Sequence, residues 1–260
     1  MATKMPSLAE MLKAGVHFGH QSSRWHPKME PYIFGSRNGI HIIDLEKTQV
    51  EMEKTYEEVK KLVAQGKVIL FVGTKRQARE IIKGAAQKCG MPYLTERWIG
   101  GLLTNFDECK RRLKKYKSLK EQVASGEVEK YTKKEQSDIK KQIEKMDKYL
   151  AGLVSLEKMP DALYVADMRV EKTAITEARK MEVPVIGVCD TNVDPTKATC
   201  VIPANDDAVN AIQMIADFIV EAVNEGKKEY EQKKMAMTKE MGTIEPVRKE
   251  KRALKKEESV

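Results

Sequence analysis

Short unbroken apolar runs alternate with amphipathic stretches along most of this chain, and one long charged interruption sits in the middle. Val68-Ile-Leu-Phe-Val72 closed by Gly73, Ala162-Leu-Tyr-Val-Ala166 between two aspartates, Val185-Ile-Gly-Val-Cys189, and Cys200-Val-Ile202 are runs of strand length, rich in β-branched residues. Such runs, without polar alternation, are those of strands buried on both faces. Between them the period lengthens to that of helices. Thr74 reads as the N-cap of a helix opening at Lys75 and ending near Cys89-Gly90, and Pro92-Tyr-Leu94 supplies the next strand. A second helix is predicted over Thr173–Met181, and Asn205 caps a third that runs through Val223 and ends near Gly226. Parallel strands need crossover helices, so this alternation predicts an α/β fold with a parallel sheet.

The first third of the chain is less regular. Ser7 and Glu10 form a capping box for a short helix that stops before Gly15. Val16 to Met29 has neither period, and Pro27 keeps it extended. Arg37-Asn38-Gly39 reads as a turn into a strand at Ile40–Ile43, after which Asp44 caps a helix reaching Gln65-Gly66. Its inward positions are predicted to be Leu45, Val50, Met52, Tyr56, Val59 and Val63.

From Phe106 the apolar positions step by three or four through Cys109, Leu113, Tyr116, Leu119 and Val123, and again through Ile139, Ile143, Met146, Leu150 and Leu153. Ser125-Gly126 ends the first arm, and the capping box Thr132–Glu135 opens the second, which predicts an antiparallel coiled-coil hairpin. The chain therefore divides into an α/β domain (1–104 and 159–226), an inserted hairpin (105–158) and a charged tail (227–260) expected to lose order at its end unless bound.

Charge sharpens this division. The whole chain carries +8, with 33% charged and only 6% aromatic residues. Residues 105–158 hold fifteen Lys/Arg against ten Asp/Glu, and residues 227–260 hold eleven against seven, so the α/β part is nearly neutral. A basic excess on appendages points to polyanionic partners. No apolar run has membrane-spanning length and no leader is recognisable, so a cytoplasmic protein is expected. The four cysteines form no CxxC pair or disulfide framework.

Candidate chemistry is sparse. Lys75, Arg76 and Arg79 crowd a predicted helix start whose dipole is already positive, which suits a bound anion; the alternative is a solvated helix end balanced in part by Glu80. Arg24-Trp25-His26 with Lys28 combines cations and planar rings, suited to phosphates and bases, although a buried Trp anchoring the loop is an equal reading. Arg97 beside Trp98, ahead of Gly100-Gly101, carries the same ambiguity. His17, His20 and His26 raise a metal reading, but no Cys or carboxylate nearby in sequence completes a structural-zinc spacing, so neither metal nor cofactor is expected. Seven cations and no acid between Lys110 and Lys120 favour an acidic partner over a solvated face. An enzyme would draw Thr74, Lys75, Asp167 and Asp190-Thr191-Asn192 to one sheet edge, yet there is no glycine-rich phosphate cradle and no nucleophile-base arrangement, so no catalytic residue is assigned. A pure protein adaptor built on the hairpin is the third class.

Several strings together carry a family resemblance: Gly15-Val-His-Phe-Gly-His20, Arg24-Trp-x-Pro-Lys-Met29, Pro31-Tyr-Ile-Phe34, Arg37-Asn-Gly-Ile-His-Ile-Ile-Asp-Leu45, Phe71-Val-Gly-Thr-Lys-Arg-Gln-Ala78, Arg97-Trp-x-Gly-Gly101 and Asp190-Thr-Asn-x-Asp-Pro195. From about Leu8 to Val223 the chain resembles the bacterial small-subunit ribosomal protein two family. His26 departs from the Asn often found there, and Ala204 from a usual Gly. The resemblance implies a flavodoxin-like sheet with a projecting hairpin, lodged on the solvent side of the small subunit between head and body. It implies contact with small-subunit rRNA and neighbouring ribosomal proteins, near the messenger exit where ribosomal protein one docks, and no free homo-oligomer. By motif, the rRNA-facing residues would be Arg24, Trp25, Lys28, Arg37, Lys75, Arg76 and Arg97, joined by Arg79 from the anion-site argument and by Lys110, Arg111, Arg112 and Lys114 of the hairpin. The implied role is binding without turnover.

Overall fold

The computed structural model describes residues 5–257, with side chains over residues 5–235. The first helix, α1 (Leu8–Ala14), begins with the expected capping box: Ser7 accepts from the Glu10 N–H while Glu10 accepts from Ser7. Three short strands follow, β1 (Phe18–Gln21), β2 (Ile33–Arg37) and β3 (Ile40–Ile43), forming a small antiparallel sheet in the order β1-β3-β2. Strands β1 and β2 are additions to the sequence reading. Four residues with two outward positions carry no usable period, and β1 exists because β3 pairs with it. Asn38 and Gly39, at φ 52° and 74°, make the left-handed turn that suits the twist of an antiparallel pair.

Helix α2 (Leu45–Val63) starts at Asp44, whose carboxylate accepts from the N–H groups of Glu46 and Lys47. Met52, Tyr56, Val59 and Val63 are buried as the period requires, whereas Val50 faces outward. The chain continues through β4 (Ile69–Val72), α3 (Arg79–Cys89), β5 (Tyr93–Leu94), α4 (Phe106–Ala124), α5 (Lys133–Leu150), β6 (Ala162–Val165), α6 (Lys172–Lys180), β7 (Val185–Cys189), β8 (Cys200–Pro203) and α7 (Val209–Glu257).

The five later strands form a parallel sheet in the order β5-β4-β6-β7-β8. Counted along the chain this is 2-1-3-4-5, the flavodoxin-like order, with its topological switch between β4 and β6. Alternate residues serve opposite faces. Ile69, Phe71, Tyr164, Ile186, Val188 and Ile202 pack with α2, α3 and α7, while Leu70, Val72, Leu163, Val165 and Val185 pack with α6, the Trp98–Leu103 segment and the root of the α4–α5 pair. Both faces are covered, which is why the strands read as unbroken apolar runs.

Three elements differ from expectation. Helix α3 opens at Arg79 rather than Lys75, because Thr74 donates its N–H to Glu171 and residues 75–78 form a turn that carries Lys75 across the strand ends. Helix α7 does not stop near Gly226. A Cβ there would lie 2.7 Å from the Lys60 carbonyl oxygen and 2.8 Å from Val63 Cβ, so this glycine permits the close crossing of α2 and α7. Beyond it, Lys227 caps the Cys89 carbonyl and Tyr230 covers Gly66. The expected loss of order at the far end of the tail concerns residues whose side chains lie outside the described ones. In the α4–α5 pair, Leu113, Tyr116 and Leu150 are buried and Asp147 bonds to Tyr116 and Lys120. Toward the tip Leu119, Ile139 and Ile143 are half-buried, Val123 is exposed, and Val128 in the turn between the arms is buried again, so the apolar seam between the two helices is interrupted at Val123.

Candidate nucleic-acid interface

The carboxyl ends of β4, β6, β7 and β8 face the N-terminal sheet. Thr191, just beyond β7, ties the two together: its hydroxyl accepts from the His20 N–H at 2.9 Å, and its carbonyl accepts from the His26 N–H at 2.7 Å. Asn205 donates its amide to the Gly15 carbonyl and its main-chain N–H to that of Val16. The loop carrying Arg24 and Trp25 is thereby fixed to the sheet edge.

Lys75 lies at the switch point, and its ammonium contacts Asp206 at 2.7 Å, Asp207 at 2.8 Å and Asp167 at 3.0 Å. Burial alone would lower its pKa, but those carboxylates overcome it and raise the value above that of a free lysine. The anion that a crowded positive turn requires is therefore supplied by the fold itself, which corrects the expectation that Lys75 meets an external phosphate. Along the chain Asp206 and Asp207 read as dipole partners of the following helix; in the fold they are the counter-charges of Lys75. Burial, with Asp167 and Asp190 close by, pushes Asp206 up to about 7. Arg79 is also paired within the chain, to Glu96 at 3.0 Å and the Thr74 carbonyl, but this pair lies at the surface, with both side chains exposed. Of that cationic trio Arg76 alone has no ion pair among the described residues, and it is exposed.

His20 reaches into the same region. Its Nδ1 lies 3.0 Å from Asp190 Oδ2, and its Nε2 lies 3.5 Å from Asp207 Oδ2. The contact with Asp190 raises the His20 pKa, against its partial burial. His20, Asp190 and Asp206 each offer a ligand atom within 4.8 Å of the others. His17 and His26 stand apart, and His26 accepts from the Lys28 N–H.

The remaining cations gather in two places. A cleft of about 680 Å³ beside the ends of β6 and β7 is lined by Arg24, His26, Arg169, Lys172, Arg179, Lys180 and Lys197. Among the described residues none of its six lysines and arginines has an ion-pair partner, and its acid, Asp194, is bonded to Lys28 and Thr196. Arg24 was legible in the sequence; the other five cations were not. Arg169 and Lys172 follow a strand end, where the rule that flagged Lys75 applies equally, whereas Arg179 and Lys180 look like ordinary partners of a helix C-terminus. Elsewhere, Arg97 and Arg112 share a groove with Trp98, Lys145 and Tyr149 at the hairpin root. Trp25 is 37% exposed and lies against His41, which leaves part of its ring open for stacking. Trp98 is buried and donates to Glu177, settling that residue as structural. Arg37, Lys110, Arg111, Arg112 and Lys114 are exposed, with Arg111 and Arg112 lying near Glu108. Among the described residues no helix is long and apolar enough to cross a membrane.

Two comparisons place this geometry among known proteins. Residues 11–226 match the family model described as "Ribosomal protein S2". The chain is also 48% identical over 221 residues to the "Small ribosomal subunit protein uS2" of Coprothermobacter proteolyticus, a match covering 85% of this chain and 82% of that protein.

Proposed function

The chain belongs to the ribosomal protein S2 family, a structural, non-enzymatic component of the small ribosomal subunit, and from that premise we propose that it works by being held against folded rRNA through phosphate contacts. The observation that carries this reading is the cleft whose six cations lack counter-charges within the described chain. Like charges gathered round one concavity repel until an anion enters, and a phosphate backbone supplies anions in series. Base edges are hidden in A-form major grooves, so phosphate spacing and shape select the site.

Around the cleft we place Arg24 and Trp25, with Arg37 and Arg76 on the neighbouring turns. Lys28 positions the loop through Asp194. Arg97, Lys110, Arg111, Arg112 and Lys114 form a second contact region at the hairpin. The hairpin exposes Val123, Tyr131 and Tyr149 as well, which supports contacts with neighbouring ribosomal proteins. The family further supports a position between head and body near the messenger exit, close to ribosomal protein one, in a cytoplasmic ribosome-bound state.

Binding of the full chain to small-subunit rRNA as a function of salt tests this. Replacing Arg24, Arg169 and Lys172 together with Gln flattens the dependence of log K on log salt by about 0.7–0.9 for each phosphate that is no longer neutralised. An unchanged slope in this variant removes the cleft from the interface.

A further inference from the structure

We propose that the free chain binds a nucleoside polyphosphate in the cleft beside the ends of β6 and β7, in competition with rRNA. The proposal rests on reading the cleft as an anion site, and adds a second, soluble occupant to it. Arg24 comes from the N-terminal loop, Arg169, Lys172, Arg179 and Lys180 from the approach to α6 and its exposed face, and Lys197 from the connection between β7 and β8. All of these cations are exposed, and none has an ion-pair partner among the described residues. The acid of the cleft, Asp194, is already taken by Lys28 at 3.0 Å and by the Thr196 hydroxyl at 2.7 Å.

Size and position suit a compact ligand. The cleft holds about 680 Å³, within the span of roughly 300–1,000 Å³ usual for small-molecule sites. It lies outside the carboxyl ends of parallel strands, where open α/β sheets hold their ligands. Its walls are preformed, because the His26 N–H is held by the Thr191 carbonyl at 2.7 Å and Asp194 fixes the following turn through the Thr196 N–H at 3.1 Å. Charge density then selects the class. A polynucleotide brings a single charge with each nucleotide that must fit inside, so a strand filling this volume leaves most of the cations unmatched. A chain of terminal phosphates concentrates several charges beside a single nucleoside. Met168, Ile175 and Val193, nearly buried, give the lining an apolar part against which a base lies. An inorganic phosphate chain engages the cations and leaves that part uncovered.

The test titrates the full chain, freed of nucleic acid, with ATP, AMP and inorganic tripolyphosphate in a calorimeter, at constant ionic strength and without divalent metal. One ATP per chain is expected, bound at least about tenfold more tightly than AMP and at least about threefold more tightly than tripolyphosphate. Lys172→Gln combined with Lys197→Gln weakens ATP at least about tenfold. Lys54→Gln combined with Lys61→Gln, an equal loss of charge on the exposed face of α2, leaves it unchanged. Excess ATP, unlike AMP at the same ionic strength, weakens rRNA binding by the parent. The methyl signals of Met168, Ile175 and Val193 shift on addition of ATP to the parent, which locates the ligand even where a variant fails to fold. Absence of ATP uptake, AMP or tripolyphosphate bound as tightly as ATP, equal losses in the two double variants, unmoved methyl signals, or rRNA binding indifferent to ATP would each overturn the proposal. No ATP uptake beside a flattened rRNA salt slope in the Arg24, Arg169 and Lys172 variant strikes this inference alone. ATP uptake beside an unchanged slope strikes the RNA reading of the cleft, and the competition with it.

Discussion

Glu177 is a sensitive point in the sequence-to-fold relation because a single carboxylate organises an entire loop. It is 9% exposed, carries no cationic partner among the described residues, and accepts from Trp98 Nε1 at 3.0 Å and the N–H groups of Gly101 (2.9 Å), Leu103 (3.1 Å) and Thr104 (3.3 Å), with the Thr104 hydroxyl as a fifth donor. Burial favours its neutral form, but those donors prevail and its pKa lies below the ordinary carboxylate value. Glu177→Gln keeps the shape and turns one acceptor oxygen into a donor. In its best orientation the amide still faces two N–H groups, leaving them unpaired at about 1–3 kcal/mol each, so a destabilisation near ~3 kcal/mol is expected. For a chain of this size that corresponds to a midpoint lowered by roughly 6–12 °C. Urea titration at pH 7, at constant m, measures the effect, and a cycle with Trp98→Phe gives a coupling of about 1 kcal/mol. The folded pKa is depressed, so this stability is fully present above about pH 4.3 and fades as pH falls through the folded value. The gap between parent and variant therefore closes on acidification. A variant within about 0.5 kcal/mol of the parent at pH 7 refutes the assignment, because uncharged surface exchanges lie in that range.

Two further outcomes test the charged contacts. Lys75→Met leaves Asp167 and Asp206 as uncompensated buried carboxylates, and denaturant titration should register a destabilisation of about 3–5 kcal/mol, while the salt slope of rRNA binding stays that of the parent; a stable variant with a flattened slope would return Lys75 to the RNA face. Asp194 is held down to about 2 by Thr196, with Lys28 adding to the effect. Asp194→Asn should cost on the order of 1–2 kcal/mol near neutrality, a difference that persists above the unfolded pKa of about 3.9 and disappears as pH falls through about 2; a difference that does not vary with pH argues against this pair.

The loop at Trp98 illustrates the limit of local reading. Arg97-Trp98 next to two glycines resembles a nucleic-acid contact as much as a packing unit, and only Glu177, far along the chain, decides for packing. On α6 that glutamate has the appearance of a solvated helix residue, because nothing in its neighbours announces five donors arriving from another segment. Lys75 is a parallel case. Its surplus of positive charge is visible in the sequence, and so is the need for an anion, but its partners come from the ends of two other strands.

What the sequence by itself determined is whatever depends on period and on bonds a few residues long: five buried strands, the helices between them, the paired helices of the insertion, and the caps at Ser7, Asp44 and Thr132. The strings shared with the ribosomal family added the order of those strands. Tertiary structure alone decided that β1 exists, that α7 passes Gly226, that Lys75 is neutralised from within, and that Arg24 joins Arg169, Lys172, Arg179, Lys180 and Lys197 around one cleft. The physical reason is the range of the interactions. Apolar periodicity records which face of an element is buried, but ion pairs, hydrogen bonds and close glycine contacts join segments whose separation leaves no mark on that period.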